Sequence, residues 1–334
     1  MSSKVLYLIE SLGVHESRWL TSLRNHGLQV EVRTFETLEA QPLPSDHLVL
    51  TGPLTTAAKH LETLKEVSYV VMSYAYDLLL SEEIKGQSDQ SIQELCLHSQ
   101  GIVFDCEFVR SFFEKSAHFS KPSCVAAWGL DHAPQADIDG GFIQKVERLK
   151  AQYEGQTLIF SSRNFTPIHG VRDILQAFDQ VSNTVLFIAG AGELEDEILA
   201  HIDRLSPQHP VEYLGSLTES ELCYAYTQLA DVYVSASHVD GISISLLQAM
   251  EANCVLALSA VGGNNDLPAS EFRHLFPAQD VEALGEALKK GQSVVSQLPK
   301  NYWKPVLNHL GNWEINQKTV VSFLEARYQD LMTL

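Results

Sequence analysis

Positive charge is scarce in this chain. Its 334 residues carry 23 lysines and arginines against 42 aspartates and glutamates, a formal net charge of −19. Such a surface repels polyanions, which argues against nucleic acid or an anionic membrane as the main partner, although a local basic patch is still able to hold a phosphate. Cysteine is also sparse. Cys96, Cys106, Cys124, Cys223 and Cys254 are odd in number, widely spread and without a C-x-x-C pair, which disfavours a disulfide framework or a zinc site. Uninterrupted apolar runs of the roughly 20 residues that span a bilayer are missing, so no stable membrane insertion is expected. The start of the chain, Met1 to Gly13, has one lysine before the short apolar run Val5 to Ile9, followed by Glu10 where a cleaved leader has small residues. It reads as a buried first strand, and the expected location is the cytoplasm. Low-complexity tracts and short-period repeats are lacking too.

What is present is apolar mass and order. Hydrophobic residues make up 45% of the chain, enough at this length for two cores. Short β-branched runs alternate with helical patterns throughout, the signature of parallel sheets with crossover helices. The first series of candidate strands is Val5 to Ile9, Gln29 to Arg33, His47 to Leu50, Tyr69 to Ser73, Gly101 to Phe104 and Ser123 to Ala127. The second is Thr157 to Ser161, Val185 to Ala189, Val211 to Leu214, Val232 to Ala236 and Val255 to Ser259. Val171, Ile174, Leu175 and Phe178 fall on one helical face. Asp131, Pro134, Asp137, Asp139 and Gly140-Gly141 interrupt both periodicities and mark a hinge-like join. The expected domains are residues 1–135 and 136–312, with a terminal helix over about 313–334 packing back on the first.

Three places in the second half put a strand end directly before a helix start, where free backbone amides and the helix dipole favour an anion. The loop Ser162-Arg163-Asn164-Phe165-Thr166-Pro167-Ile168-His169-Gly170 carries an arginine fork suited to a diphosphate; it also fits a surface arginine beside a structural histidine. Phe187-Ile188-Ala189-Gly190-Ala191-Gly192-Glu193 runs a strand into G-x-G but has Glu195 where a dinucleotide fingerprint needs its third glycine, so it marks a close turn. In the third, Ser237-His238-Val239-Asp240-Gly241-Ile242-Ser243-Ile244-Ser245-Leu246-Leu247-Gln248, a polar loop opens a helix. There Ser245-x-x-Gln248 also fits a simple capping box, with Asn253 as a left-handed end cap.

Taken together, in this order and spacing, the three segments resemble the retaining glycosyltransferases of family 4, a group with the GT-B fold. Val211-Glu212-Tyr213-Leu214-Gly215-Ser216-Leu217, Ala230-Asp231-Val232-Tyr233-Val234-Ser235, Ala260-Val261-Gly262-Gly263-Asn264 and His274-Leu275-Phe276-Pro277 extend the likeness. Val5 to Gly13, Ser73-Tyr74-Ala75-Tyr76-Asp77-Leu78-Leu79 and Ala127-Trp128-Gly129-Leu130-Asp131 match more loosely. The resemblance implies an α/β chain of two Rossmann-like parallel-sheet domains facing each other across a cleft. It implies a metal-independent hexosyltransferase with no cofactor, whose UDP- or GDP-sugar donor is a substrate held mostly by the second domain. The acceptor, a sugar, glycan or lipid-linked molecule of polysaccharide or cell-envelope synthesis, enters from the first.

Carried over by residue, the resemblance gives Arg163 the diphosphate leaving group, with His169 in the slot where the family usually has lysine. The amides of Ile244 and Ser245 meet the phosphates. Asp240 matches the first glutamate of the family's E-x7-E motif, on the donor sugar, and Gly241, Ile242 and Ser243 bring the backbone close to it. Gln248 matches the second glutamate, on the ribose, and Leu217 lies by the base. Gly13 and Gly190 belong to the donor loops, while Tyr74 and Asp77 stand on the acceptor side, Asp77 fitting a helix N-cap equally well. His15 and Glu16 either face the cleft or begin a helix.

Four departures stand out. Gln248 exchanges a charge-assisted hydrogen bond for a neutral one, a loss of about 1 kcal/mol that raises KM. Asp240 is one methylene shorter than glutamate, a change in reach to which catalysis is sensitive. His169 makes leaving-group stabilisation pH dependent around neutrality. Tyr74 stands where the family often has histidine, and the first glycine loop is reduced to Gly13. These leave open an alternative, a catalytically degenerate GT-B protein that acts as a binding or assembly partner. A nucleotide-sugar epimerase of the same architecture is a third reading. A stripe at Phe108, Arg110, Phe112, Phe113 and Lys115 fits a core-facing helix better than a lipid-facing one.

Overall fold

The computed structural model describes residues 3–38, 40–79, 90–116, 119–130, 138–205 and 208–333. The chain divides into two compact units, one of residues 1–129 and 312–334 and the other of residues 130–311. Each is built on a six-stranded sheet in which every pairing is parallel. Buried on both faces, such strands read as continuous apolar runs.

In the first unit the strands are β1 (Lys4–Ile9), β2 (Gln29–Thr34), β3 (Leu48–Thr51), β4 (Tyr69–Met72), β5 (Gly101–Phe104) and β6 (Ser123–Val125). They lie in the order β2-β1-β3-β4-β5-β6. The chain leaves β1 to one side for β2 and then crosses to the other side for β3, so the sheet reverses direction between β1 and β3. The helix Trp313–Leu331 packs in this unit. Trp313 meets Trp19 edge-on at 4.6 Å, Arg18 covers the Trp313 ring at 4.5 Å, and Asn316 Nδ2 donates to the Ala127 carbonyl at 2.9 Å. The last strand stops two residues short of the expected Ala127.

The second unit contains β7 (Thr157–Ser161), β8 (Thr184–Ala189), β9 (Val211–Gly215), β10 (Val232–Ser235), β11 (Val255–Ser259) and β12 (Arg273–Phe276). Their order is β12-β11-β10-β7-β8-β9. Here the reversal falls between β7 and β10. β12 was not expected as a strand: Arg273, His274 and Leu275 are only half-buried, so this edge strand lacks the apolar signature of its neighbours. Val171, Ile174, Leu175 and Phe178 are all buried on one face of the helix Val171–Phe178, as their spacing predicts. Of the expected join, residues 131–137, including Asp131, Pro134 and Asp137 and the expected 135/136 boundary, lie outside the described residues. Asp139 accepts from the Phe142 amide at 3.0 Å, so Gly140 and Gly141 open the helix Gly140–Gln152.

The two loops at the second reversal are locked together. Gly170 ends a short turn in the left-handed region, at φ 63°, and a Cβ there would lie 1.9 Å from the Ala236 carbonyl oxygen. The His238 amide donates to the Ile168 carbonyl at 2.7 Å. Only a residue without a side chain lets the loop after β7 lie against the loop after β10. Gly155 also has a left-handed φ, 84°, but with nothing within 4 Å of an added Cβ. Gly155→Ala should therefore cost only backbone strain, about 1 kcal/mol, and Gly170→Ala about 2–4 kcal/mol. Denaturant midpoints of the two variants check this, and equal losses would refute the close approach of the loops.

Candidate functional site

At the second reversal, the loop leaving β7 presents Arg163 and the loop leaving β10 presents Asp240. Nη2 of Arg163 lies 2.8 Å from Oδ2 of Asp240, and Nη1 donates to Ser245 Oγ at 3.0 Å. The guanidinium is buried at 8% exposure, and among the described residues its Nε has no hydrogen-bond partner. Burial pushes the Asp240 carboxyl above the usual carboxylate range, and the Arg163 charge, the Ser237 hydroxyl and the Gly241 amide oppose the shift. The pair holds both charges because each would otherwise be an uncompensated buried ion.

Ser243 caps the helix Ile244–Glu251, its hydroxyl accepting from the Leu246 amide at 3.2 Å. The cap is thus Ser243, and the Ser245-x-x-Gln248 capping box does not form, because Ser245 already lies inside the helix. Asn253 does follow the helix with φ 63°. Among the described residues the amides of Ile244 and Ser245 have no hydrogen-bond acceptor, as expected for the first turn of a helix. Through Ser245 they adjoin the arginine. The result is a short arc of donors: one guanidinium, two free amides and a hydroxyl.

His169 is arranged differently from the sequence expectation. Its Nδ1 lies 3.0 Å from the Asn164 carbonyl and 2.8 Å from Thr166 Oγ1. A carbonyl only accepts, so Nδ1 carries the hydrogen and Nε2 is the acceptor in the neutral ring. Burial first, and the Arg163 charge second, push its pKa down to about 4. In this arrangement the ring is neutral at pH 7.

The remaining second-unit candidates differ in how they participate. Gly190, at φ 140°, would bring a Cβ 2.3 Å from the Arg163 carbonyl. Its amide donates to Gly215 and its carbonyl accepts from Tyr213 Oη at 2.9 Å. Both backbone groups are therefore used internally, and Gly190 supports the arginine loop from behind. Gly241 and Ile242 lie against Gly263, whose Cβ would meet them at 2.7 Å, and the Ile242 side chain is buried in the core. Leu217 is half-buried on the core of its unit. Gln248 is buried, its Nε2 facing Cys223 Sγ at 3.8 Å.

Two positioning contacts went unassigned in the sequence. His238 Nε2 lies 2.8 Å from Asp173 Oδ2, tying the Asp240 loop to the helix after His169, and Ser162 hydrogen-bonds Tyr226. His238 was visible inside the Asp240 motif. Its partner, 65 residues away, left no local signal.

The first-unit candidates form a separate group. Tyr74 Oη donates to Glu16 Oε1 at 2.8 Å, and burial pushes the phenol well above its usual range. A Cβ on Gly13 would meet the same Glu16 at 2.6 Å, and the Gly13 amide donates to Ser11. His15 and Glu16 lie in the helix Val14–Asn25, the His15 ring packed 4.0 Å from Trp128. Asp77 is fully enclosed and accepts from the Leu54 amide, the Ser73 hydroxyl and the Tyr74 amide at 2.9, 2.8 and 3.2 Å. It ties the segment after β3 to the loop after β4, so these contacts serve the fold of the first unit. Phe113 of the aromatic stripe is buried, and Phe108 and Phe112 stack at 6.5 Å.

Residues 143–291, inside the second unit, match the family described as glycosyl transferases group 1. No curated protein matches the chain by sequence. Among solved structures it is similar to sucrose-phosphate synthase from Thermosynechococcus elongatus, with a TM-score of 0.78 and 14% identity over 99% of each chain. Anabaena HepE in complex with UDP follows at 0.70 and 15%, covering 97% of this chain and all of that one (100%). A UDP-forming α,α-trehalose-phosphate synthase from Burkholderia xenovorans gives 0.68 and 13%, covering 97% and 99%. The fold is that of the GT-B glycosyltransferases, and the family match supports a glycosyltransferase. Among the described residues no helix is long and apolar enough to cross a membrane.

Two outcomes follow from the geometry. Arg163→Ala or Asp240→Ala alone should each cost about 3–5 kcal/mol by stranding a buried charge, whereas the double variant should lose less than the sum; additive losses in a denaturation cycle would refute the pair. His169 binds a proton in the unfolded chain below about pH 6.5 but in the folded chain only below about 4, so its neutral burial favours folding above that window and the benefit is lost on acidification. His169→Asn should therefore relieve about 2 kcal/mol of the acid destabilisation at about pH 5, measured as the difference in unfolding free energy between pH 7 and pH 5.

Proposed function

We propose that the chain is a retaining glycosyltransferase of the family 4 type that moves a hexosyl group from a UDP- or GDP-sugar to a hydroxyl acceptor. The observation that carries this reading is the arc of donors at the second reversal. Arg163 and the free amides of Ile244 and Ser245 are aimed at one place, and each prefers an anion.

On this reading a diphosphate takes the guanidinium and the helix tip, and Asp240, displaced from Arg163, turns to the hydroxyls of the donor sugar. The charge that develops on the leaving phosphate is met by preorganised dipoles and a fixed cation, which need little rearrangement as the bond breaks. His169, neutral in the free chain, receives a proton as the diphosphate approaches, so donor binding draws a proton from solution. The acceptor hydroxyl attacks from the face the phosphate leaves, and the departing phosphate oxygen takes its proton. The arginine and amides supply the positive charge, so no metal enters the proposal. UDP is the first donor to test, because HepE is described in complex with UDP and the Burkholderia enzyme as UDP-forming.

UDP-glucose or another UDP- or GDP-sugar at about 100 times its Kd should stabilise the fold by about 2.7 kcal/mol, read as a rise in Tm. Without acceptor the same donor should be slowly hydrolysed, the sugar first appearing by NMR with its anomeric configuration kept. Arg163→Lys, which keeps the charge but loses the fork, should lower kcat more than it raises KM. Absence of stabilisation by every common nucleotide-sugar would sink the proposal.

A further inference from the structure

The first sheet has a reversal of its own, between β1 and β3. The carboxyl ends of strands beside a reversal are where open α/β sheets bind ligands, because the connections run away on both sides and leave a crevice. In this unit the crevice is a cavity of about 510 Å³ lined by Glu10, Phe35, Glu36, Leu38, Thr56, Lys59, His60 and Thr63. Glu10 follows β1, Phe35 and Glu36 follow β2, and Thr56, Lys59 and His60 follow β3. Thr56 Oγ1 donates to Glu10 Oε2 at 3.1 Å, bridging the two sides of the reversal. Phe35 and His60 stack face to face at 4.6 Å, 16° from parallel, with Phe35 buried and His60 half-buried.

The chemistry of this lining is selective. Two carboxylates, two hydroxyls and an aromatic face suit a ring with several hydroxyls and one apolar face. The formal charge of the lining is negative, with Glu10 and Glu36 against Lys59, in a chain that is itself strongly acidic. A phosphate or carboxylate placed here would meet like charges.

We infer that this cavity binds an uncharged carbohydrate ring, and that the acceptor of the proposed transfer is a neutral glycan end rather than a sugar phosphate. The acceptor role rests on the glycosyltransferase reading; the carbohydrate site does not. Glu10 takes a vicinal pair of hydroxyls, with Thr56 holding its carboxylate in place, and the His60 ring, backed by Phe35, covers the apolar face of the sugar.

Ligand-observed NMR on the full chain separates these statements. The probes are the methyl glycosides of glucose, galactose and mannose, together with glucose 6-phosphate and glucuronic acid. At least one neutral glycoside should show saturation transfer, and both charged sugars should bind at least about tenfold more weakly. Glu10→Gln and the exposed Glu36→Gln should each cut the glycoside signal at least about fivefold, an effect of lost carboxylate hydrogen bonds, while stabilisation by UDP stays unchanged. Tighter binding of the charged sugars, glycoside signals indifferent to both substitutions, or no binding by any probe would overturn the inference. Failure of UDP to stabilise the wild-type chain would sink the donor reading instead and leave the carbohydrate site standing on its own result.

Discussion

A buried guanidinium must have a counter-ion, and in the second unit that requirement organises everything around it. Arg163 and Asp240 come from loops 77 residues apart in sequence, and they meet because β7 and β10 are neighbours at the place where the sheet reverses. Once the two charges are out of water, the loops that carry them have little latitude. Gly170 lets one loop lie on the other, Gly190 lets the backbone after β8 approach the Arg163 carbonyl, and His238 pins the aspartate loop to Asp173. The ion pair is costly to bury and costlier to break, so it serves as the register mark of the site.

Under the proposed function, the same contact preorganises the arc of donors. With Asp240 as its placeholder, the guanidinium keeps a charge that burial would otherwise oppose. Ser245 keeps the guanidinium beside the helix tip, 3.0 Å away. A diphosphate that replaces Asp240 exchanges one anionic partner for another, so little new desolvation of the arginine is required. The displaced carboxylate is then free for sugar hydroxyls, which links donor capture to the positioning of the donor sugar in a single exchange of partners.

The sequence disclosed much of this and concealed the rest for identifiable reasons. Eight strands were legible as buried apolar runs; the partly exposed edge strands β2, β6 and β9 still showed short valine-bearing runs, whereas β12 opens on Arg273 and His274 and has only Leu275 and Phe276 as an apolar signal. Arg163, Asp240 and the helix tip were legible because each occupies a strand-to-helix junction. Their pairing was hidden, since only the strand order brings β7 beside β10. The neutral His169 was hidden too, because its burial and the nearby Arg163 charge are tertiary facts. Asp77 was ambiguous for a related reason: its motif fits a site or a cap, and only the tertiary structure shows it accepting from Leu54 on one segment and from Ser73 and Tyr74 on its own.

Strand order also makes the two units comparable without any appeal to their mutual placement. In each, the chain runs outward from a central strand and returns across it, so that the connections at the carboxyl ends of two neighbours run away to opposite sides. In the second unit that gap holds an arginine and free amides, a place for anions. In the first it holds Glu10, Thr56 and a stacked aromatic pair, a place for hydroxyls. A transferase needs both kinds, because its donor carries the charge that leaves and its acceptor supplies only an oxygen. Under the proposed function, one topology used twice with opposite electrostatics serves the two chemical halves of a glycosyl transfer.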